Sequence, residues 1–288
     1  MSYRHLGIAN NKDRKENNEC NPVQILDQYV ITIPTVQNAI DIFKGEWTSK
    51  FLALPETSPF GSAVTSPGYT PLFEDSRIEW MLSQIGGCKD FSVLELGPLE
   101  GGHTYMLEQA GAKSILSVES NTRAFLKCLI TKEVMNLKNA SFVLGDFCEY
   151  LKNINGDVKY DLIIASGVLY HMKNPVRLLA DISRHTEKVF LWTHYYDPDI
   201  IMSSPVREKI GNPEKLEEGG FSCEAYRYEY KTALEWIGFC GGTDVYSRWI
   251  GKDDIIDCLK HFGFKKITIG FDHPDHINGP SFALMCSK

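Results

Sequence analysis

At 288 residues, with 43% hydrophobic and 23% charged residues, the chain can form one large α/β domain or a smaller core with an elaborated cap, and disorder throughout is excluded. The formal net charge of -7 argues against broad affinity for nucleic acid, whose phosphates are bound by clustered cations. No stretch reaches the roughly 20 apolar residues of a membrane span, and the amino-terminal MSYRHLGIANNKDRKENNEC lacks the apolar run of a secretory signal, so no membrane partner and a cytoplasmic location are expected.

Residues 1–22 are polar and aperiodic, which reads as a disordered arm. Residues 23–87 read as a helical cap. Within it, Thr35 caps a helix carrying Val36, Ala39, Ile40 and Phe43, a Pro-, Gly- and Ser-rich loop covers about 53–72, and a second helix buries Ile78, Met81, Leu82 and Ile85 before stopping at Gly86-Gly87. From 92 onward short apolar runs (SVLEL, SILSV, SFVLG, DLIIA, KVFLWTH) alternate with amphipathic helices, the pattern of a parallel sheet covered on both faces. Two closing runs, KKITIGF and SFALMC, lie too close together for a crossover and are expected to pair antiparallel. The fold class is therefore α/β, with a Rossmann-like, mostly parallel seven-stranded sheet over 88–288, an amino-terminal helical cap, and an inserted aromatic segment at about 195–250 that reads as a lid.

Chemistry concentrates at the carboxyl ends of these strands. Val93-Leu94-Glu95-Leu96-Gly97-Pro98-Leu99-Glu100-Gly101-Gly102 runs from strand through glycine loop to helix, with Glu95, Gly97 and Gly101 as its marked positions. Glycines let a backbone approach a ligand, and the helix start offers free N–H groups to a carboxylate. A dinucleotide is disfavoured: the second glycine of its fingerprint is replaced by Leu99, and Glu95 and Glu100 would repel a pyrophosphate. Glu119 ends the second strand, where α/β nucleotide folds place an acceptor for ribose hydroxyls, and Asp146-Phe147 ends the third. Past the fourth strand comes Ser166-Gly167-Val168-Leu169-Tyr170-His171-Met172-Lys173-Asn174-Pro175.

The order and spacing of these segments, over about residues 78–288, resemble the class I S-adenosylmethionine-dependent methyltransferases. The stretch around Tyr170 and His171 is similar to the form found in small-molecule, quinone and wobble-uridine methyltransferases. The resemblance implies a sheet whose last strand inserts antiparallel between its neighbours, with S-adenosyl-L-methionine as cofactor and S-adenosyl-L-homocysteine as its product. It also implies cofactor contacts from Glu95, Gly97, Gly101, Glu119, Asp146, Phe147 and Ser166. Asp146 would accept from the adenine amino group, Phe147 would cover the ring, and Tyr170 and His171 would lie near the transferable methyl.

A neutral histidine can take a proton from an acceptor hydroxyl or amine, so His171 and His194 are the candidate bases, with Tyr170 beside them and His103 a weaker third. In the aromatic insertion, Ala225–Lys231 alternates like a strand, and Tyr196, Arg248 and Trp249 are the candidate acceptor contacts, Arg248 as a bidentate partner for a carboxylate. Trp47 and Lys50 stand where the cap could close over the cofactor. No metal is expected, because Asp, His and the eight scattered cysteines lack ligand spacing. Three functions follow: methyl transfer to O or N of a small molecule or short peptide; a tRNA wobble-uridine-type methyl or carboxymethyl transfer; and a non-catalytic cofactor-binding or scaffold protein.

Overall fold

The computed structural model describes residues 29–50, 65 and 67–288. The expected arm over 1–22 and most of the loop over 53–72 lie outside them.

In the cap, the Thr35 side chain accepts the Asn38 N–H at 3.3 Å and starts helix α1 (Val36–Asp41), which is shorter than its apolar pattern suggests. Phe43 falls beyond the helix yet is buried beside Trp47, because the turn after α1 folds back under it. Trp47 does not close over a ligand: it is fully buried and donates its indole N–H to the Ile40 carbonyl at 2.9 Å. Nor is the cap wholly helical, since β1 (Trp47–Ser49) and β2 (Pro67–Thr70) pair in parallel. Helix α2 (Ser76–Ile85) begins at an Asp75 cap and ends at Gly86, whose φ of 73° suits a residue without a Cβ.

All seven anticipated sheet strands form: β3 (Ser92–Leu96), β4 (Ser114–Glu119), β5 (Ala140–Leu144), β6 (Leu162–Ser166), β7 (Lys188–His194), β11 (Lys266–His273) and β12 (Ser281–Ser287). Their order is β11-β12-β7-β6-β3-β4-β5, with β12 antiparallel between β11 and β7 and the other pairs parallel. Both faces of the central strands are buried. Along β6, Leu162 and Ile164 join Ile78 and Met81 of α2 and Leu107 of α3 (Gly102–Gln109) in one core. Ile163 and Ala165 join Leu178 and Ile182 of α6 (Pro175–His185) and Leu259 in the other. This is why the strands read as continuous apolar runs rather than alternating ones. Helices α4 (Thr122–Val134) and α5 (Phe147–Asn153) follow β4 and β5, capped by Asn121 and Asp146.

The 195–250 insertion begins with the short helix α7 (Pro198–Ile201) and builds its own antiparallel sheet from β8 (Ile210–Glu218), β9 (Phe221–Glu229) and β10 (Tyr246–Ile250), in the order β10-β9-β8. Strand β9 takes in Ala225–Glu229 of the run read as a strand from the sequence, while Tyr230 and Lys231 fall in the turn that follows it. Its partner β8, IGNPEKLEE, carries a Pro and few apolar residues and gave no signal. Helix α8 (Lys252–His261) then returns the chain to the main sheet.

Candidate active site

The carboxyl ends of β3, β4, β6 and β7 open onto a cavity lined by Gly97, Pro98, Leu99, Glu119, Ser166, Tyr170, His171 and Trp192. A second cavity, lined by Asp146, Phe147, Cys148 and Arg177, shares Ser120, Phe147, His171, Met172 and Gly242 with the first. Together they form one cleft across the rim of the sheet.

Of the predicted cofactor residues, Gly97, Glu119, Asp146, Phe147 and Ser166 line it, and Glu95 and Gly101 do not. Gly97 has a φ of 65°, and a Cβ there would lie 2.8 Å from Val168 Cγ1, so both backbone and space require glycine. Glu119 is 7% exposed and lines the cavity; its two oxygens accept the N–H groups of Leu99 (3.1 Å) and Asn121 (2.8 Å). Burial pushes its carboxyl above the usual range, against those backbone hydrogen bonds. Asp146 uses Oδ1 to cap α5 through the Cys148 N–H at 2.7 Å, and Phe147 is buried in the core while lining both cavities.

Two glutamates of the glycine loop stand elsewhere. Glu95 is 2% exposed and does not line the cleft; it accepts the Thr104 hydroxyl and the Ser117 hydroxyl (2.8 Å), which ties β3 to α3 and β4. Burial raises its pKa. Glu100 is fully buried, paired with Lys127 at 2.8 Å and accepting the Thr48 and Ser49 N–H groups at 3.0 and 2.7 Å, so it fastens the cap to the core. The repulsion of a pyrophosphate by Glu100 read from the sequence is corrected by this pairing: its charge is met by Lys127. Gly101, with a φ of 82°, caps α3 from behind the loop.

The histidines separate clearly. Nδ1 of His171 lies 2.8 Å from the Tyr230 hydroxyl, which is itself 2.8 Å from the Gly241 carbonyl. A carbonyl can only accept, so Tyr230 gives its one proton to Gly241 and receives Nδ1–H from His171. The neutral ring then carries its lone pair on Nε2. Burial holds its pKa down at about 3, helped by His194. His194 also donates from Nδ1, to the Gly279 carbonyl at 2.8 Å, and its pKa is lowered by burial to about 4. Its ring stacks on Trp249 at 5.3 Å and it lines neither cavity of the cleft. Tyr170 lines the cleft with its phenol pKa raised by burial.

Sequence reasoning missed a polar group on the opposite wall. Asp75, the cap of α2, lies 2.5 Å from Arg77 and 2.9 Å from Nε2 of His103. Burial opposes ionisation of Asp75, but hydrogen bonds from His103 and Arg77 outweigh it and hold the carboxyl well below the usual range. The Arg77 guanidinium sits 4.3 Å over the Trp192 ring. Asp75 was readable as a helix cap; its meeting with His103 crosses 28 positions and left no local signal.

The anticipated acceptor contacts are used internally. Arg248 pairs with Glu214 at 2.6 Å and donates to the Lys173 carbonyl at 2.8 Å. Trp249 is 2% exposed between His194 and Tyr228, and Tyr196 stacks on Tyr226 at 3.4 Å. None of the three lines the cleft. What reaches it from the insertion is the loop before β10, through Cys240, Gly242 and Asp244, held by Asn121 on the Phe239 carbonyl at 3.0 Å and by Lys173 on Asp244 at 2.5 Å. No cluster able to hold a metal ion occurs among the described residues, and no described helix is long and apolar enough to cross a membrane.

No protein-family model matches the chain, and neither does any curated protein. Among solved structures, the N-terminal domain of EvdMO1, in the presence of SAH and D-fucose, is similar with a TM-score of 0.63 and 22% identity, over 88% of this chain and 95% of that one. The chain spans 46% of the longer EvdMO1 structure, with a TM-score of 0.56 and 19% identity. An S-adenosylmethionine-dependent methyltransferase from Mesorhizobium loti is similar with a TM-score of 0.51 and 11% identity, over 75% of this chain and 100% of that one. In strand order, in the antiparallel β12 and in the glycine loop that opens its cleft, this chain has the Rossmann-like fold of the class I S-adenosylmethionine-dependent methyltransferases.

Proposed function

We propose that this protein is an S-adenosylmethionine-dependent methyltransferase acting on an oxygen or nitrogen of a small molecule or short peptide. The observation that carries the reading is Glu119, a buried carboxylate at the end of β4 facing the cleft beside the Gly97 loop. Each of its oxygens accepts one backbone N–H and retains a lone pair for a ribose hydroxyl. Asp146 and Phe147 border the neighbouring cavity, where an acid and an aromatic ring suit the amino group and face of adenine. Bound there, S-adenosylmethionine supplies an electrophilic methyl group and is left as S-adenosylhomocysteine.

The protein's share of the chemistry is alignment, exclusion of water and, for an acceptor that must lose a proton, a base. His171 fills that role in our reading: it lines the cleft, is neutral, and has Nδ1 committed to Tyr230, which leaves Nε2 to take the proton. His194 then serves as packing for Tyr170 and Trp249. The wobble-uridine reading has less support, since each Lys or Arg lining the cleft meets a carboxylate: Arg77 with Asp75, Lys173 with Asp244, Arg177 with Asp181 and Glu218.

Calorimetric titration with S-adenosylmethionine and S-adenosylhomocysteine tests the proposal, with mass spectrometry of any copurified ligand. Micromolar binding is expected, weakened at least tenfold in Glu119→Ala. Binding of neither compound removes the reading, and tight binding with no transfer to any acceptor turns it into the scaffold alternative.

A further inference from the structure

Beyond the Arg77–Trp192 pair lies another cavity, of about 450 Å³, bounded by Thr70 and Glu74 of the cap, Trp192 and Phe271 of the sheet, and His276 and Ser281 of the last hairpin. Leu72, Arg77 and Trp192 line both this cavity and the cofactor cleft, so the two meet there. Nothing in cofactor binding accounts for it.

Its chemistry is specific. Ser281 opens β12 and is fully buried, and its hydroxyl has no hydrogen-bond partner. A buried hydroxyl left unpaired is costly, so one on a cavity wall points to a ligand atom. Trp192 and Phe271 supply aromatic surface, and His276 and Thr70 offer neutral hydrogen-bonding groups. The cation in the wall, Arg77, is met by Asp75 at 2.5 Å, and Glu74 adds a further negative charge. Such a wall disfavours a carboxylate or phosphate and suits an uncharged molecule with an apolar face and several hydroxyls.

We propose that this cavity is the acceptor subsite and that it takes a neutral, polyhydroxylated ring of the monosaccharide class. The ring lies against Trp192 and Phe271, Ser281 Oγ and the His276 imidazole bond its hydroxyls, and one hydroxyl points past Arg77 into the cofactor cleft. The inference rests on the methyl-transfer reading of that cleft. It moves acceptor selection from the 195–250 insertion to the cap and the β11–β12 turn.

Saturation-transfer NMR tests it on the full chain, with and without S-adenosylhomocysteine, using D-fucose, D-glucose, D-galactose and D-glucuronate in turn at tens of millimolar. Transfer to at least one neutral sugar is expected, reduced several-fold in Ser281→Val and in His276→Ala while affinity for S-adenosylhomocysteine stays unchanged. Binding of S-adenosylhomocysteine with no transfer to any neutral sugar overturns the subsite alone. Wild-type signals in both variants, or a stronger signal for D-glucuronate than for the neutral sugars, also overturn it. Sugar binding that depends on Ser281 in a protein with no affinity for S-adenosylhomocysteine keeps the subsite and removes the methyl-transfer reading.

Discussion

The Tyr230 hydroxyl lies 2.8 Å from Nδ1 of His171, although the two residues belong to different parts of the chain, one at the end of the inserted sheet and one just past β6. That contact selects the histidine's tautomer and fixes its ring. Replacing Tyr230 by Phe leaves a buried N–H without a partner, at a cost of about 1–3 kcal/mol. We expect kcat to fall about tenfold in Tyr230→Phe and by about a hundredfold or more in His171→Ala, with affinity for S-adenosylhomocysteine unchanged in both. Equal losses of binding and turnover in His171→Ala would remove its role as base.

The same base predicts a pH profile. Its active form is the unprotonated ring, and burial lowers its pKa to about 3, so protonation is deferred to strong acid. Between about pH 8 and 6, where an unperturbed imidazole of pKa ~6.5 would begin to lose activity, kcat should stay flat. A fall in kcat centred on that ordinary value would point to another group.

Glu119 behaves in the opposite sense. Its carboxyl is raised above the usual range by burial, and the ionised form is the better acceptor of ribose hydroxyls. Affinity for S-adenosylhomocysteine should therefore be full at neutral pH and decline as pH falls through a value above ~4.3. Glu119→Gln should flatten that decline and bind more weakly at pH ~7. A calorimetric pH series on both proteins reads the difference.

The buried Lys127–Glu100 pair holds the cap. Breaking it with Lys127→Met leaves a carboxylate fully buried without its cation, which costs about 3–5 kcal/mol. Denaturant melts should show that loss. Hydrogen exchange should show faster opening of the Thr48 and Ser49 amides, which Glu100 accepts.

Arg248 offers a contrast. Its pair with Glu214 is partly exposed, so Arg248→Ala should cost about 1 kcal/mol in stability. The KM for any acceptor found should not change. A large rise in KM would restore the acceptor role that its position in the sequence suggested.

Much of the fold was legible because the central strands of the sheet are buried on both faces and so appear as uninterrupted apolar runs between amphipathic helices. The cleft was legible for a related reason: Gly97, Glu119, Asp146 and Ser166 stand at strand ends or just beyond, and a parallel sheet brings successive strand ends to one rim. Strand β8 stayed hidden because it is half exposed and rich in charge. Arg248, Trp249 and Tyr196 read as ligand contacts because their types suit that role, and types do not reveal which partners a side chain already has.

The sequence by itself determined the sheet, the glycine loop and the acids along its edge, since each depends on residues within one strand–loop–helix unit. Only the tertiary structure decided that Glu100 is bound to Lys127, that Tyr230 sets the tautomer of His171, and that Asp75, Arg77 and His103 meet beside Trp192. Those contacts join side chains far apart along the chain, and their energies depend on burial and on distances of a few ångströms that packing alone creates.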